Sequence, residues 1–302
     1  MTNKGDTITA PTQEGTALPK PYMSWSQVSK WRTCGEQYRL SYIEKVARMP
    51  SGAAIAGSAV HRTVEDIEEF DWWRDPVQFD KAGSVHESFI HYLRFMLSEA
   101  SAGNEHGWPV QWGGRKTKDY PDGENQQWWE LYGGLSMLKK YGAVRRNDEA
   151  DGLMLVESSV ERRVSVHLDL PGRDEPMLFE AYVDSALMQD TNTGFVVPRD
   201  VKSGSVLGLD PMQLALYGQL WMKMDPNVRV EQAEFAWLRA AKVEDVRRTL
   251  DLRPYYPLLP RFILEAEHGI LHEQFTMRPS NLCGSCGVRH ACEWGKVVAP
   301  VE

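Results

Sequence analysis

Apolar residues change their spacing near residue 152, from a helical stagger to short β-type runs. After Ser24, the residues Trp25, Val28 and Trp31, continued by Leu40 and Ile43, supply the one-sided stripe of an amphipathic helix reaching about Val46. Ser24 or Ser26 can cap it, and Pro50, Ser51 and Gly52 end the pattern. A second helix is expected over 53–70, and its acidic end (Glu65, Asp66, Glu68, Glu69) reads as a solvated face. Helical signals return over 85–100 and 125–141, on either side of a Gly-rich loop at 103–123. Past Gly152, the stretches 153–160, 163–170, 178–188 and 195–202 are rich in β-branched and aromatic residues and are parted by turn residues, so each predicts a strand. Asp210-Pro211 opens a helix with proline in its first turn, 231–238 reads as another strand, and 259–272 as a closing helix. Helices first, then strands, then helix and strand predict a mixed α/β layer structure.

Residues 1–21 hold almost no large apolar side chain and read as a disordered tail. This leaves 22–302 as a single domain, with 72–150 as a helical insertion. Apolar residues make up 42% of the chain and charged residues 25%, enough for a packed core and too apolar for a disordered polymer. No apolar run approaches the roughly 18 residues of a membrane span, and the first twenty residues lack the apolar core of a signal peptide. Neither a membrane nor a secreted location is expected. The formal net charge is −8, so bulk attraction to a polyanion is excluded and any nucleic acid must be gripped by a local basic channel. A candidate is the 103–123 loop, which carries Arg115, Lys116 and Lys118 and lies within the segment 72–150, where six of the eleven tryptophans fall. Aromatics beside Lys and Arg suit single-strand stacking, although most of these indoles read as core.

The sharpest chemical pattern is Asp200-Val201-Lys202. On a strand, residues i and i+2 share a face, so Asp200 and Lys202 converge while Val201 points into the core. A turn near 191–194 would bring Asp184, which follows the run Ala181-Tyr182-Val183, alongside Asp200. Two carboxylates and an ammonium at one sheet edge suit a hard divalent cation and a lysine that orients water or neutralises developing charge. Gln213 and Tyr217 lie at i,i+4 on the helix after Pro211. His61, four residues after Gly57 in the second helix, can complete a metal shell.

The four cysteines, Cys34, Cys283, Cys286 and Cys292, have the spacing C-x248-C-x2-C-x5-C. Clustered thiols in a chain without a signal peptide point to a metal rather than to disulfides. Spacing alone admits either zinc or an iron–sulfur cubane.

In chain order, Gly57-x-x-x-His61, Asp184, Asp200-x-Lys202 and Gln213-x-x-x-Tyr217 resemble the PD-(D/E)xK nucleases of the RecB-like branch. The cysteine layout, with Ser24-x-Ser26 and Tyr38-x-x-x-Tyr42 beside Cys34, is similar to the iron–sulfur staple of AddB and of the CRISPR-associated Cas-four family. The resemblance implies a mixed central sheet flanked by helices, with the staple segment 280–296 joined to the N-terminal part. It implies His61, Asp184, Asp200 and the Val201 carbonyl as ligands for Mg²⁺ or Mn²⁺, with Lys202 catalytic beside Asp184 and Asp200. It further implies Gln213 and Tyr217 beside DNA, and a 4Fe–4S cluster on Cys34, Cys283, Cys286 and Cys292.

Three positions depart from the family pattern: Gly35 for a proline, Ala181 for a glycine, and Ser203-Gly204 for Thr-Gly. The implied activity is a metal-dependent exonuclease on single-stranded DNA or ends, of 5′→3′ polarity, serving recombination, repair or replication. It would act in the cytoplasm of a bacterial cell, with the gene on the chromosome or on a bacteriophage. A helicase, a recombinase or CRISPR adaptation proteins would be its partners, and rings of subunits occur among such relatives. The competing expectations are a DNA-end-binding adaptor of the same fold without catalysis, and a zinc-stapled structural protein.

Overall fold

The structure, a computed structural model, describes residues 18–113, 116, 118–121, 123–156, 159–188, 194–204 and 210–298. Its helices and strands run in the order α1 (Trp25–Thr33), α2 (Gly35–Tyr38), α3 (Gly52–Glu69), α4 (Ser84–Ala102), α5 (Gln126–Trp128), α6 (Gly134–Ala150), β1 (Met154–Leu155), β2 (Arg162–Leu168), β3 (Met177–Val183) and β4 (Ser185–Met188). They continue with β5 (Val196–Lys202), α7 (Pro211–Met224), β6 (Gln232–Trp237), β7 (Arg247–Asp251), α8 (Leu259–Leu271) and α9 (Glu293–Val298). The backbone separates into two compact units, one of residues 1–47, 163–181 and 254–302, the other of 48–162 and 182–253.

The second unit holds a five-stranded sheet of order β1-β4-β5-β6-β7. Its pairs are antiparallel except β5 with β6, which run parallel. A parallel neighbour cannot be reached by a tight turn, and α7 supplies the crossover. Asp210 caps α7 by accepting from the Met212 amide, and Pro211 fills the first turn, where its missing N–H costs nothing. On one face of the sheet, Val201 and Ala236 join a core with Ala59, Val60, Ile67, Phe89, Leu138 and Tyr141 from α3, α4 and α6. The order of elements predicts a mixed α/β layer structure, and the mixed sheet flanked by helices is the architecture the family resemblance implies.

That core is crossed by a buried ionic network. Arg199, fully buried on β5, donates to Asp148 of α6 at 2.6 and 3.0 Å and to Glu234 of β6 at 2.7 Å. Arg145 donates to Glu68 at 2.6 Å, as does the Tyr141 hydroxyl at 2.6 Å. Arg247 of β7 reaches Glu234 at 3.0 Å. Burial pushes the Glu234 carboxyl upward, but Arg199 and Arg247 outweigh it and leave its pKa below the ordinary glutamate value. The acidic end of α3 is therefore not simply solvated: Glu68 faces inward and neutralises Arg145.

In the first unit, α1 and α8 pack through Trp31 and Gly269, where an added Cβ would lie 1.9 Å from the indole. The Trp31 indole N–H donates to the Gln274 carbonyl at 3.0 Å. β2 and β3 form a separate two-stranded sheet, and Met23 bridges to Phe179.

The structure corrects four expected elements. The helix over 24–46 breaks at Cys34, which is extended (φ −161°, ψ 109°). Gly35 resumes the chain with its amide on the Thr276 carbonyl at 3.0 Å, and a Cβ there would meet the Phe275–Thr276 backbone at 2.7 Å. Among its described residues, the stretch 153–160 forms strand only at Met154–Leu155, with the Val156 amide still donating to the Ala186 carbonyl at 2.9 Å. The run 178–188 divides at Asp184 into β3 and β4, which belong to different sheets. Finally, α6 continues to Ala150, and β7 was not anticipated.

Candidate active site

The break between β3 and β4 places Asp184 beside β5. Ser185 pairs with Arg199 and Ala186 with Pro198, so the antiparallel register carries Asp184 toward Asp200. Its carboxylate accepts from the Val201 amide at 2.6 Å. In an extended strand the N–H and C=O of one residue leave on the same edge, so the Val201 carbonyl also faces the Asp184 side. His61, on α3, sets Nδ1 3.7 Å from Asp184 Oδ2 and 3.2 Å from Glu161 Oε1.

Asp200 and Lys202 share the opposite face of β5 from Val201. Lys202 Nζ is 2.6 Å from Asp200 Oδ2. Gln213 ties the pair to α7: its amide nitrogen donates to Asp200 at 3.0 Å and to the Tyr217 hydroxyl at 2.8 Å, and its carbonyl accepts from Lys202 at 3.3 Å. Gln213 thus reaches the acid–lysine pair itself, and Tyr217, one helical turn on along α7, joins it through Gln213.

Charge is concentrated here at low hydration. Burial, reinforced by Asp200 and Glu161, lifts the Asp184 pKa to about 7 against the pull of His61 and the Val201 amide. Burial also raises Asp200, although Lys202 and His61 act against the rise. Burial disfavours a charged His61, yet Asp184, Glu161 and Asp200 outweigh it and hold its pKa at about 9. The Tyr217 hydroxyl is pushed well above its usual value by burial and by the nearby carboxylates.

A carboxylate cluster that retains protons near neutrality is short of positive charge. The ligand atoms of His61, Glu161 and Asp184 lie within 4.8 Å of one another, and one imidazole among carboxylate oxygens suits a hard divalent cation. The residues present therefore fit a metal. Beside them opens a cavity of about 340 Å³ lined by Ser58, Arg62, Glu65, Met96 and Tyr182 together with His61 and Glu161.

Glu161 is the member that sequence reasoning missed. It adopts a left-handed backbone (φ 44°) and donates its amide to the Asp184 carbonyl at 3.0 Å. Neither periodicity nor spacing marks a lone glutamate between Val160 and Arg162. Of the loop cations, Lys116 and Lys118 are exposed, and Arg115 lies outside the described residues.

The four cysteines fall in the first unit. Cys34 at the α1–α2 break and Cys283, Cys286 and Cys292 between α8 and α9 all line one cavity of about 230 Å³. None of the four is in a disulfide. Burial, and then the proximity of Cys34, Cys292 and Cys283, raises the pKa of Cys286.

A sheet with an acid at a strand break, an Asp-x-Lys on the next strand and a helix returning over them defines a nuclease core. The sequence profile of the PD-(D/E)XK nuclease superfamily matches residues 22–293, and the chain belongs to that superfamily. Among individual proteins, it is similar to the Gene 69 protein of Mycobacterium phage D29, at 23% identity over 300 residues covering 92% of this chain and 98% of the phage protein. No helix among the described residues is long and apolar enough to cross a membrane.

Proposed function

We propose that the chain is a metal-dependent DNA exonuclease of the RecB-like type, carrying a structural iron–sulfur cluster. One observation supports this most strongly: His61, Asp184, Asp200, Lys202, Gln213 and Tyr217, scattered over 157 positions, come together in one unit as two contacting groups. His61 with Asp184 is one, Asp200 with Lys202, Gln213 and Tyr217 the other, and they join where the Val201 amide donates to Asp184. His61, Asp184, Asp200 and the Val201 carbonyl would hold Mg²⁺ or Mn²⁺, with Glu161 close enough to join them. When bound, such an ion supplies a Lewis acid for the phosphodiester and lowers the pKa of water. Lys202 lies beside Asp200 and neutralises charge as it develops on the phosphate. Gln213 holds Lys202 and Asp200 in register, so the ammonium does not swing away when substrate enters.

The thiol-lined cavity supports the second part. Four cysteines from both ends of the chain face one space, as a 4Fe–4S cluster requires. It would fasten the N-terminal helices to the C-terminal segment and carry no current in the reaction. Iron and zinc content of anaerobically purified protein decides between this cluster and a zinc staple.

The reaction is read with linear and circular single strands labelled at either end. Loss of terminal nucleotides from linear DNA only, beginning at the 5′ end, is the expected result. Cutting of the circle would make the enzyme an endonuclease. Binding without metal-dependent cutting would make it an end-binding adaptor.

A further inference from the structure

Lys202 has a neighbour whose chemistry the phosphate-directed groups leave unused. In the parallel β5–β6 pair, Asp200 is opposite Phe235 and Lys202 is opposite Trp237. Residues paired in this way project from the same face of a sheet, and Lys202 Nζ lies 5.7 Å from the Phe235 ring centre, as that face demands. Phe235 is fully buried, whereas Trp237, two residues further along, is only half-buried. A broad indole is thus set at the rim, one strand over from the lysine.

This indole is held in place. Its N–H donates to the Gly204 carbonyl at 3.0 Å, which fastens β6 to the chain leaving β5. Two residues on, Arg239 donates to the Ser203 carbonyl at 2.8 Å and to Glu124 at 2.8 Å, with its guanidinium 5.1 Å from the Trp128 ring centre and 4.9 Å from that of Trp129. Arg239 is consumed by these contacts and braces the loop; it is not a spare cation for phosphate. The polar atoms at this rim bond to backbone and to each other; the Trp237 indole packs in part against the apolar core and, being only half-buried, keeps exposed aromatic surface among the described residues. Such a surface accepts any nucleobase, because every base can stack.

We infer that Trp237 is a stacking platform for a base of the single strand, next to the phosphate that Lys202 addresses. This deepens the nuclease reading and rests on it. Its consequence is a division of labour: metal ligands and Lys202 act on the phosphate, while Trp237 fixes the register of the strand by one base without reading its identity. An unpaired base is needed, since a base inside a duplex has both faces covered.

The test is equilibrium binding of fluorescent single-stranded oligonucleotides in EDTA, so that no cutting occurs. Wild type, Trp237→Ala and Trp237→Phe are compared on a normal strand and on strands carrying one abasic site at successive positions. Trp237→Ala is expected to bind the normal strand on the order of tenfold more weakly, and Trp237→Phe to recover most of the loss. At one abasic position, wild type and Trp237→Ala should bind equally, because the stacked base has already been removed.

A Trp237→Ala deficit of the same size at every abasic position would overturn the proposal and leave a structural role. So would normal binding by the variant, or failure of the wild type to bind single strands. Failure of the nuclease reading shows differently: the wild type would bind strands with the abasic signature yet cut none when Mn²⁺ is added.

Discussion

Arg199 stands immediately before Asp200, on the opposite face of β5, and is wholly buried with all its charge spent on Asp148 and Glu234. Replacing it by methionine, Arg199→Met, keeps the volume and apolar character of the stem but strands two buried carboxylates. Breaking a buried pair from one side costs about 3–5 kcal/mol. Here each carboxylate retains a second partner: Asp148 has Arg145 at 3.3 Å, and Glu234 has Arg247 at 3.0 Å. The expected loss therefore lies near the lower end, about 3 kcal/mol.

Urea unfolding followed by far-ultraviolet circular dichroism measures it, as a fall in midpoint at unchanged slope. Arg247→Met, at a partly exposed site, should cost clearly less. The acid limb offers a second check. Glu234 is more acidic folded than unfolded, so its contribution is present above the unfolded glutamate pKa of about 4.3 and disappears as pH falls through the folded value. The gap between wild type and Arg199→Met should accordingly narrow below about pH 4. A loss under about 1 kcal/mol, or a gap independent of acid, would refute the idea that this ion network holds β5 in place.

Three further outcomes follow from the two sites. Binding of Mn²⁺ must displace protons held by Asp184 (pKa about 7) and His61 (about 9), so affinity should drop as pH falls through that range. Titration calorimetry in buffers of different ionisation enthalpy should show the proton release, and a pH-independent affinity would place the ion elsewhere. Cys34→Ser should weaken the closure between residues 34 and 283, worth roughly 5 kcal/mol by loop entropy, and should speed proteolysis around α1 and α2. Unchanged cleavage there in iron-loaded protein would argue against a staple. Charge reversal at Lys116 and Lys118 should lower the slope of DNA affinity against salt, and an unaltered slope would leave those lysines as ordinary surface.

The parts of this molecule legible in its sequence are those governed by one short-range rule. Asp200 and Lys202 share a face because strands alternate, Gln213 and Tyr217 because a helix returns every fourth residue, and Asp210-Pro211 starts α7 by capping. What escaped depends on contacts between distant segments. Cys34 interrupts a good helical stripe because the chain near Phe275 and Thr276 comes too close for a side chain at position 35. The run 178–188 reads as one strand, yet Asp184 is where the chain passes from one sheet to another. Glu68 looks solvated beside Glu65 and Glu69 until Arg145 and Tyr141 arrive from α6. Glu161 has no local signature, since its place is set by the carbonyl of Asp184.

The most direct test is cleavage of end-labelled single-stranded DNA by wild type and by Asp200→Asn, each in Mn²⁺ and in EDTA. Wild type should shorten the strand in Mn²⁺ and stop in EDTA, and Asp200→Asn should bind the same strand and leave it whole. Cutting by Asp200→Asn at the wild-type rate, or cutting that persists in EDTA, would contradict a metal-dependent centre built on Asp184, Asp200 and Lys202.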